Sequence, residues 1–414
     1  MWVCYPNWFA RNYPNAFTPR FAGDPVIAFG TPKIMRIAFI GQKGIPVSQG
    51  GVERHVEELA KNLAARGHRA LVYSRSTYKT GSGILPPEIE VKRLPTLPFK
   101  AWDTIIHTFL ASVDVLFRKV DVIHYHSLGP AFFCFLPKIF KRRAKIVFTH
   151  HTYETFRPQW GILAKFAMIC GEFVGMLLAD EVIAISPIVA MDLERRFRRR
   201  VTTLPNGVSH LTSNGSDFSI ALPEKYILAV SRIIRSKGLE HLINAFNLIA
   251  SDYPDYELVI VGSPTRNDNI LSELYRLKGE NSKIHFLGSQ SSSRLDVIYR
   301  KASVFVQASE VEGLPIALLE AASYAIPIIA SDISEHRIIL RSQGLTFTSG
   351  NYFDLASKLR MVLSNPNYYH SISYELSRRV KTEFDWNVLC EKILTIYHHP
   401  GKIERGLVNT RLAH

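Results

Sequence analysis

The run Glu312-Gly313-Leu314-Pro315-Ile316-Ala317-Leu318-Leu319-Glu320 sets two carboxylates on either side of seven residues. Its Gly-Leu-Pro turn reads as the exit of a strand and the entry of a helix starting near Ile316. Backbone N–H groups at such a helix start can receive a phosphate. Glu320, one turn into the helix, can reach a diol such as ribose, and Glu312, still in the loop, can reach sugar hydroxyls. A solvated acidic loop would also account for Glu312. Glu320 resists that explanation, because it sits within LPIALLEAASYAIP, where a carboxylate is costly unless paired. A second cluster, Ser231-Arg232-Ile233-Ile234-Arg235-Ser236-Lys237-Gly238, places Arg232 and Lys237 after an apolar strand and ahead of a helix. Diphosphates lie at such a place, and the Arg fork suits phosphate oxygens. Gly262 ends one strand and Gln290 follows another, and a nucleotide base is expected to rest near them, largely on backbone groups.

In the first half, Gly50 and Gly51 precede Val52-Glu53 and let backbone approach a ligand closely; a tight turn alone would use them equally well. They match neither GxGxxG nor GxxxxGK[ST]. His124-Tyr125-His126 ends a strand, and His150-His151 ends another; a satisfied structural histidine is the common role for any one of these, with His126 the stronger candidate for chemistry.

The elements that must position these residues repeat. RIAFIG (36–41) is a short buried-type strand, followed by a Gly-rich loop and the helix VERHVEELAKNLAARG with Gly67 as its stop signal. Strands then read at 69–75, 121–125, 145–149, 181–185 and 201–204. After turn residues at 204–208 and a Ser/Asn/Gly stretch to Asp217, the pattern restarts with strands at 226–231, 257–262, 283–288, 304–309 and 327–331. Helices read at 238–250, 268–278, 292–301 and 316–325. Strand–helix alternation demands parallel sheets. The expected layout is an irregular extension (1–34), a first Rossmann-like domain (35–205), a second Rossmann-like domain (206–382), a helix (383–398) packing back on the first domain, and a basic tail (399–414). Two open α/β sheets would place a ligand beyond the carboxyl ends of their strands, in a cleft they face.

With 414 residues, 47% hydrophobic and 21% charged, the chain is neither disordered nor fibrous. Its four cysteines are far apart and form no CxxC or Cys/His cluster, so structural zinc and disulfides are not expected. Residues 1–34 lack the apolar core of a signal peptide, and Met35 is an alternative start. The most apolar stretch, Ile162 to Ala179, is interrupted by Lys165 and Glu172, so a membrane span is not expected. The net charge of +14 is uneven: residues 1–210 hold 28 Lys and Arg against 15 Asp and Glu, while the rest is nearly balanced at 22 against 21. A basic half suggests a polyanionic partner: an anionic membrane, a phosphorylated acceptor or a nucleic acid.

Together these motifs resemble the family 4 retaining glycosyltransferases of the GT-B fold (the "group 1" glycosyltransferases), over roughly residues 35–397. The resemblance implies that Glu312 contacts the donor sugar and Glu320 the ribose, that Arg232 and Lys237 hold the donor diphosphate, and that His126 lies near the donor sugar, with Gly50 and Gly51 in the first loop and Gly313, Leu314 and Pro315 at the phosphate. GIPVSQGGVERHVEELA, THHTYE with Trp160-Gly161, and ADEVIAISP resemble a bacterial cell-surface polysaccharide, rhamnosyltransferase-like subgroup. The implied chemistry is transfer from a nucleotide-sugar donor to a glycan or lipid-linked acceptor, with retention at the anomeric carbon; the resemblance implies that the first domain is the acceptor side and the second binds the nucleotide-sugar. The nucleotide-diphospho-sugar is then a substrate, not a cofactor. No Asp-x-Asp motif is present, so no metal is expected. The expected setting is cytoplasmic, peripheral on the inner membrane. The N-terminal extension and the long QKGIP loop depart from the family pattern. A sugar-nucleotide epimerase of the same fold, a phosphorylase-like enzyme, a catalytically dead scaffold and a nucleic-acid-binding protein are the alternatives. The last would need a recognition helix or stacking aromatics, and neither is present.

Three surfaces bear on the acceptor. Residues 99–119 carry Ile105, Ile106, Phe109, Leu110, Val113, Leu116 and Phe117 on one helical stripe, which is expected to face the core although it could lie on lipid. Residues 131–145 set aromatics beside five basic residues. The arginines at 195, 196, 198, 199 and 200 exceed what a helix C-terminus needs and suggest a phosphate partner.

Overall fold

The computed structural model describes residues 33–398, apart from 49, 82, 98–99, 152–160, 209–220 and 265–268. Nearly all of the N-terminal extension, the basic tail, the Ser/Asn/Gly stretch and Tyr153, Glu154 and Trp160 therefore lie outside the described residues. Two compact units divide the chain: one runs from Gly207 to Asp385, and the other joins the residues up to Asn206 to the segment beginning at Trp386.

The N-terminal unit is built on seven parallel strands: β1 (Arg36–Ile40), β2 (Arg69–Arg75), β3 (Ile89–Leu94), β4 (Val122–His126), β5 (Lys145–His150), β6 (Glu181–Ala184) and β7 (Thr202–Thr203). Their order across the sheet is β3-β2-β1-β4-β5-β6-β7. The central strands are Ile/Val/Phe-rich and buried along their length, as strands covered on both faces must be. Its helices are α1 (Gly51–Ala64), α2 (Lys100–Asp114), the single turn α3 (Leu128–Ala131), α4 (Phe135–Phe140), α5 (Ile162–Leu178) and α6 (Pro187–Phe197). The C-terminal unit carries β8 (Lys225–Val230), β9 (Tyr256–Val261), β10 (Ile284–Phe286), β11 (Val304–Gln307), β12 (Ile328–Ser331) and β13 (Leu345–Phe347), in the order β10-β9-β8-β11-β12-β13. Around them lie α7 (Leu239–Ile249), α8 (Ile270–Lys278), α9 (Ser292–Lys301), α10 (Ile316–Ser323), α11 (Ser334–Leu340), α12 (Tyr352–Ser364) and α13 (Pro366–Glu383). Both sheets are doubly wound, and together they are the GT-B architecture.

The last helix, α14 (Trp386–His398), belongs to the N-terminal unit. Trp386, Leu389, Cys390, Ile393 and Tyr397 enter the same core cluster as Ile37, Phe39, Val56 and Leu59 from β1 and α1. Arg66 fixes the helix from the surface, donating to Glu391 Oε1 at 2.7 Å and to the Asn387 carbonyl at 3.2 Å.

Several elements escape the sequence reading. β3 and β13 carry polar residues on edge positions and show no continuous apolar run. The stripe on residues 99–119 does not face the core as expected. The buried side of α2 is Ala111 with the polar His107, Thr108 and Ser112, while Phe109 and the following Phe117 are exposed. Ser112 is satisfied there by the Tyr125 hydroxyl at 2.8 Å, so a polar face can be the inner one. The basic run beside α4 is also partly consumed. Lys138 pairs with Asp180 at 2.5 Å, Lys141 donates to the Arg118 carbonyl at 2.7 Å, and Lys145 donates to the Ile396 carbonyl. Arg142 and Arg143 remain exposed. Of the five arginines at 195–200, Arg199 caps α5 through the carbonyls of Met176, Ala179 and Asp180, and Arg196 pairs with Glu172 and Asp192. For these two, structural work inside the unit replaces the phosphate partner that the run suggested.

Candidate active site

In the C-terminal sheet the strand order reverses between β8 and β11, and the loops after those two strands carry the predicted residues. An open α/β sheet opens a crevice at this switch point. The two loops are latched: the Glu310 N–H donates to the Ser236 carbonyl at 2.9 Å. Gly238 adopts φ 61°, and a side chain there would meet the Ala308 carbonyl at 2.2 Å, so only glycine lets the loops close. The result sets Lys237 Nζ 2.5 Å from Glu312 Oε1, both side chains about nine-tenths buried. The Gln307 amide also donates to Glu312, at 2.9 Å. Burial works against ionisation of Glu312, but Lys237, His336 and the hydrogen bonds from Lys237 and Ser309 outweigh it and hold its carboxyl below the usual range.

Arg232 stands two residues past β8, half-buried. Gly262, at φ 141°, packs against the backbone beside it: a Cβ there would lie 1.7 Å from the Ser231 carbonyl. The Gly262 N–H donates to the Gly288 carbonyl at 2.9 Å, and Gln290 donates to the Leu287 carbonyl at 2.5 Å. The structure thus gathers Arg232, Gly262 and Gln290 at the carboxyl ends of β8, β9 and β10. Gly313, Leu314 and Pro315 are buried and lead directly into α10 at Ile316. Glu320 is buried one turn into that helix and accepts from the Tyr299 hydroxyl at 3.0 Å, which answers the cost of a carboxylate in an apolar helix.

Two residues at this end of the sheet were missed from sequence. His336, at the start of α11, donates from Nδ1 to the Ser331 carbonyl at 2.9 Å, and burial lowers its pKa to about 4 despite the nearby Glu312 charge. Glu335 beside it is driven the other way: burial, and then the negative Glu312, raise its carboxyl to about 7. The available signal was the polar run Ser331-Asp332-Ile333-Ser334-Glu335-His336 directly after an apolar strand.

In the N-terminal unit the order reverses between β1 and β4, and again the two following segments hold the predicted residues. Gly41, at φ 120°, packs on the His126 carbonyl, where a side chain would clash at 2.2 Å. Gly50, at φ 111°, opens α1 and folds over Glu53, whose carboxylate accepts from the Lys43 N–H at 2.9 Å and so closes the Gly-rich loop. Gly51 is the first helical residue. His126, at the end of β4, is fully buried and bonded through Nδ1 to His151 Nε2 at 2.9 Å. Its neighbour His124 is held by Tyr397 at 2.7 Å and Thr149 at 2.6 Å, and His55 by Asn206 at 2.9 Å. His55, His126 and His151 each bring one nitrogen within 4.8 Å of the others, from three separate elements, so no sequence spacing reveals them. That is metal-ligating range; the His126–His151 bond occupies one nitrogen of each of those rings, while Nε2 of His55 and Nε2 of His126 are buried with no hydrogen-bond partner among the described residues. Burial, then the other imidazoles, keeps His126 and His151 well below the usual histidine range; burial lowers His55 to about 4 against its Asn206 bond. The cluster is neutral at pH 7.

Two family models cover most of the chain: "Glycosyltransferase Family 4" matches residues 49–210, and "Glycosyl transferases group 1" matches residues 216–379. The chain therefore belongs to the group 1 glycosyltransferases of family 4, and the protein is a glycosyltransferase. A glycosyltransferase of Haemophilus influenzae is 23% identical over 54% of this chain and 62% of its own length. One of Methanocaldococcus jannaschii is 24% identical over 88% of this chain and 98% of its own. Among solved structures, sucrose-phosphate synthase from Thermosynechococcus elongatus has a TM-score of 0.74 at 22% identity, covering 88% of this chain and 98% of that one. Anabaena HepE, solved in complex with UDP-glucose, has a TM-score of 0.68 at 17% identity, covering 87% and 99%. These structures share the fold.

Proposed function

We propose that the protein moves a sugar from a nucleotide-diphospho-sugar to a glycan or lipid-linked acceptor, with retention, in the building of a cell-surface polysaccharide. The observation that carries this reading is the latched pair Lys237–Glu312 beside Arg232 at the β8/β11 switch point, with the start of α10 between the two glutamates. Arg232, Lys237 and the α10 N–H groups take the diphosphate and stabilise the charge that grows on it as the bond from sugar C1 to phosphate oxygen breaks. Glu312 holds the sugar, Glu320 the ribose, and Gly262 and Gln290 border the base. His126, neutral, offers the transferred sugar a hydrogen bond. The acceptor oxygen bonds to C1 on the face the phosphate leaves, and its proton passes to that leaving oxygen. No step calls on a metal ion. The work is done in the cytoplasm, at the inner face of the membrane that carries the acceptor; the relation to rhamnosyltransferase-like enzymes of bacterial polysaccharide synthesis belongs to this reading.

Thermal-shift titration against a panel of nucleotide-sugars, UDP-glucose included, tests it. A true donor at 100 times its Kd adds about 2.7 kcal/mol of stability. Glu320→Gln should weaken donor binding by roughly 10- to 100-fold, the worth of about 1.5–3 kcal/mol for a charge-assisted hydrogen bond. No stabilisation by any nucleotide-sugar would overturn the proposal.

A further inference from the structure

Helix α5 is strongly apolar, with Lys165 and Glu172 its two charged residues, yet one of its faces meets solvent. Gly171 and Gly175, four residues apart, fix which face is inside. A side chain at 171 would strike the Leu128 carbonyl at 2.1 Å, and one at 175 would meet Phe148 at 2.8 Å and Ala131 at 2.9 Å, so the helix lies tight on α3 and β5 along this line. Met168, Glu172 and Met176 are buried on the same side. Glu172, the helix's one carboxylate, is spent there on Arg196 at 2.8 Å and His150 at 3.1 Å. The opposite stripe is Ile162, Phe166, Ile169, Phe173 and Leu177, at helical spacings of three and four, each between 54% and 90% exposed. Soluble surfaces scatter single apolar residues; a row of five on one helix marks an interaction face. The patch extends beyond α5, for α4 packs beside it and presents Phe140, 70% exposed. Cations follow directly: Arg142 and Arg143 after α4, and Arg195, Arg198 and Arg200 around the end of α6, all exposed. An apolar stripe without acid, bordered by arginines, has the composition of a helix that lies in a lipid headgroup layer with its apolar face among the acyl chains.

We propose that the α4–α5 face of the N-terminal unit inserts into the surface of an anionic bilayer, with α5 lying in the plane of the membrane. No helix among the described residues is long and apolar enough to cross a membrane. The inference deepens the functional reading above and rests on it for its purpose, since a lipid-linked acceptor is presented at such a surface. It differs from simple charge attraction in a measurable way. Charge attraction fades within about 10 Å at 0.1 M salt and about 3 Å at 1 M. Apolar insertion does not.

Co-sedimentation of the full chain with phosphatidylcholine vesicles and with mixed phosphatidylcholine–phosphatidylglycerol vesicles, at low and high salt, tests the proposal. Binding should be strongest on the anionic vesicles, and a substantial part should survive 1 M salt. Phe166→Ser with Phe173→Ser should weaken partition about tenfold and abolish the salt-resistant part. Arg142→Glu with Arg143→Glu should remove only the preference for anionic lipid. Both double variants change exposed positions, so unchanged circular dichroism and unchanged UDP-glucose titration should accompany them; these readouts separate failure of the membrane face from failure of the donor site. Equal vesicle binding by wild type and the Phe166/Phe173 variant would overturn the proposal, as would no binding to either lipid. Light scattering that shows a dimer in solution, dissolved by the same two substitutions, would overturn it in favour of a second copy of this chain.

Discussion

Glu312 and Lys237 are 75 positions apart in sequence yet form one buried ion pair, and this pairing decides how each will respond to mutation. Lys237→Met leaves Glu312 buried without its counter-charge, which costs about 3–5 kcal/mol; adding Glu312→Gln should recover much of that stability while leaving donor use lost. Urea unfolding of the two variants checks the first statement and turnover the second. Protonation supplies another test. Glu335 has a folded pKa of about 7, above its unfolded value of 4.5, so the folded state holds the extra proton and stability declines as pH rises between these values. Glu335→Gln should therefore raise stability at pH 8 by on the order of 1–2 kcal/mol and leave it unchanged at pH 4. Histidine runs the opposite way. With His55 and His336 at about 4 when folded against 6.5 unfolded, their stabilising contribution is complete above pH 6.5 and is lost as pH falls toward 4. A steep acid-side loss of Tm below pH 6.5 is the expected outcome. At this scale the sequence named the charges but not their partners: Glu320 was legible as a carboxylate needing a partner, while Tyr299, which supplies one, lies in another helix and carries no local signal.

Elements were legible where burial on both faces writes an apolar run, as in β1, β8 and β11. They were not legible where an element is an edge, as in β3 and β13, and for α2 the helix was legible but its inner face was not, because its polarity is inverted. Helix α2 shows why: an amphipathic stripe reports that two faces differ, but not which one the neighbours will cover. The glycines of α5 carry a prediction at this scale. Gly171→Ala forces a methyl group against the Leu128 carbonyl, and despite alanine's better helix propensity it should destabilise by about 1–3 kcal/mol. Ala167→Gly, on an exposed position of the same helix, should cost about 1 kcal/mol through propensity alone. Denaturant titration of the two separates packing from propensity.

For the whole molecule, restart of the strand–helix pattern after residue 217 was readable, and two doubly wound units stand where it predicted parallel sheets. The chain leaves the N-terminal unit at Asn206 and returns at Trp386, and the segments on the far side of those two points lie together: Val208 bridges to Asp385, and its N–H donates to the Phe384 carbonyl at 2.7 Å. Everything between the crossings is one contiguous unit. A chain ending at Asp385 keeps that unit whole but strips Trp386, Leu389, Cys390 and Ile393 from the N-terminal core. Such a truncation should expose an apolar groove on β1 and α1, bind a hydrophobic dye and lose solubility.

The return of α14 also sets an order in time. A ribosome makes the first 206 residues early, but the helix that closes their core, Trp386–His398, is made only after the whole C-terminal unit. At 5–20 residues per second the N-terminal unit waits roughly 10–40 s, unfinished, while the C-terminal unit is made and released to fold behind it. The usual vectorial sequence is inverted: the unit begun first is completed after the unit begun second. During that interval the nascent chain offers an open groove on β1 and α1, a binding place for the chaperones that attend translation. Chains arrested just before Trp386 should accordingly be cut by protease within the first 206 residues, and chains released beyond His398 should resist there.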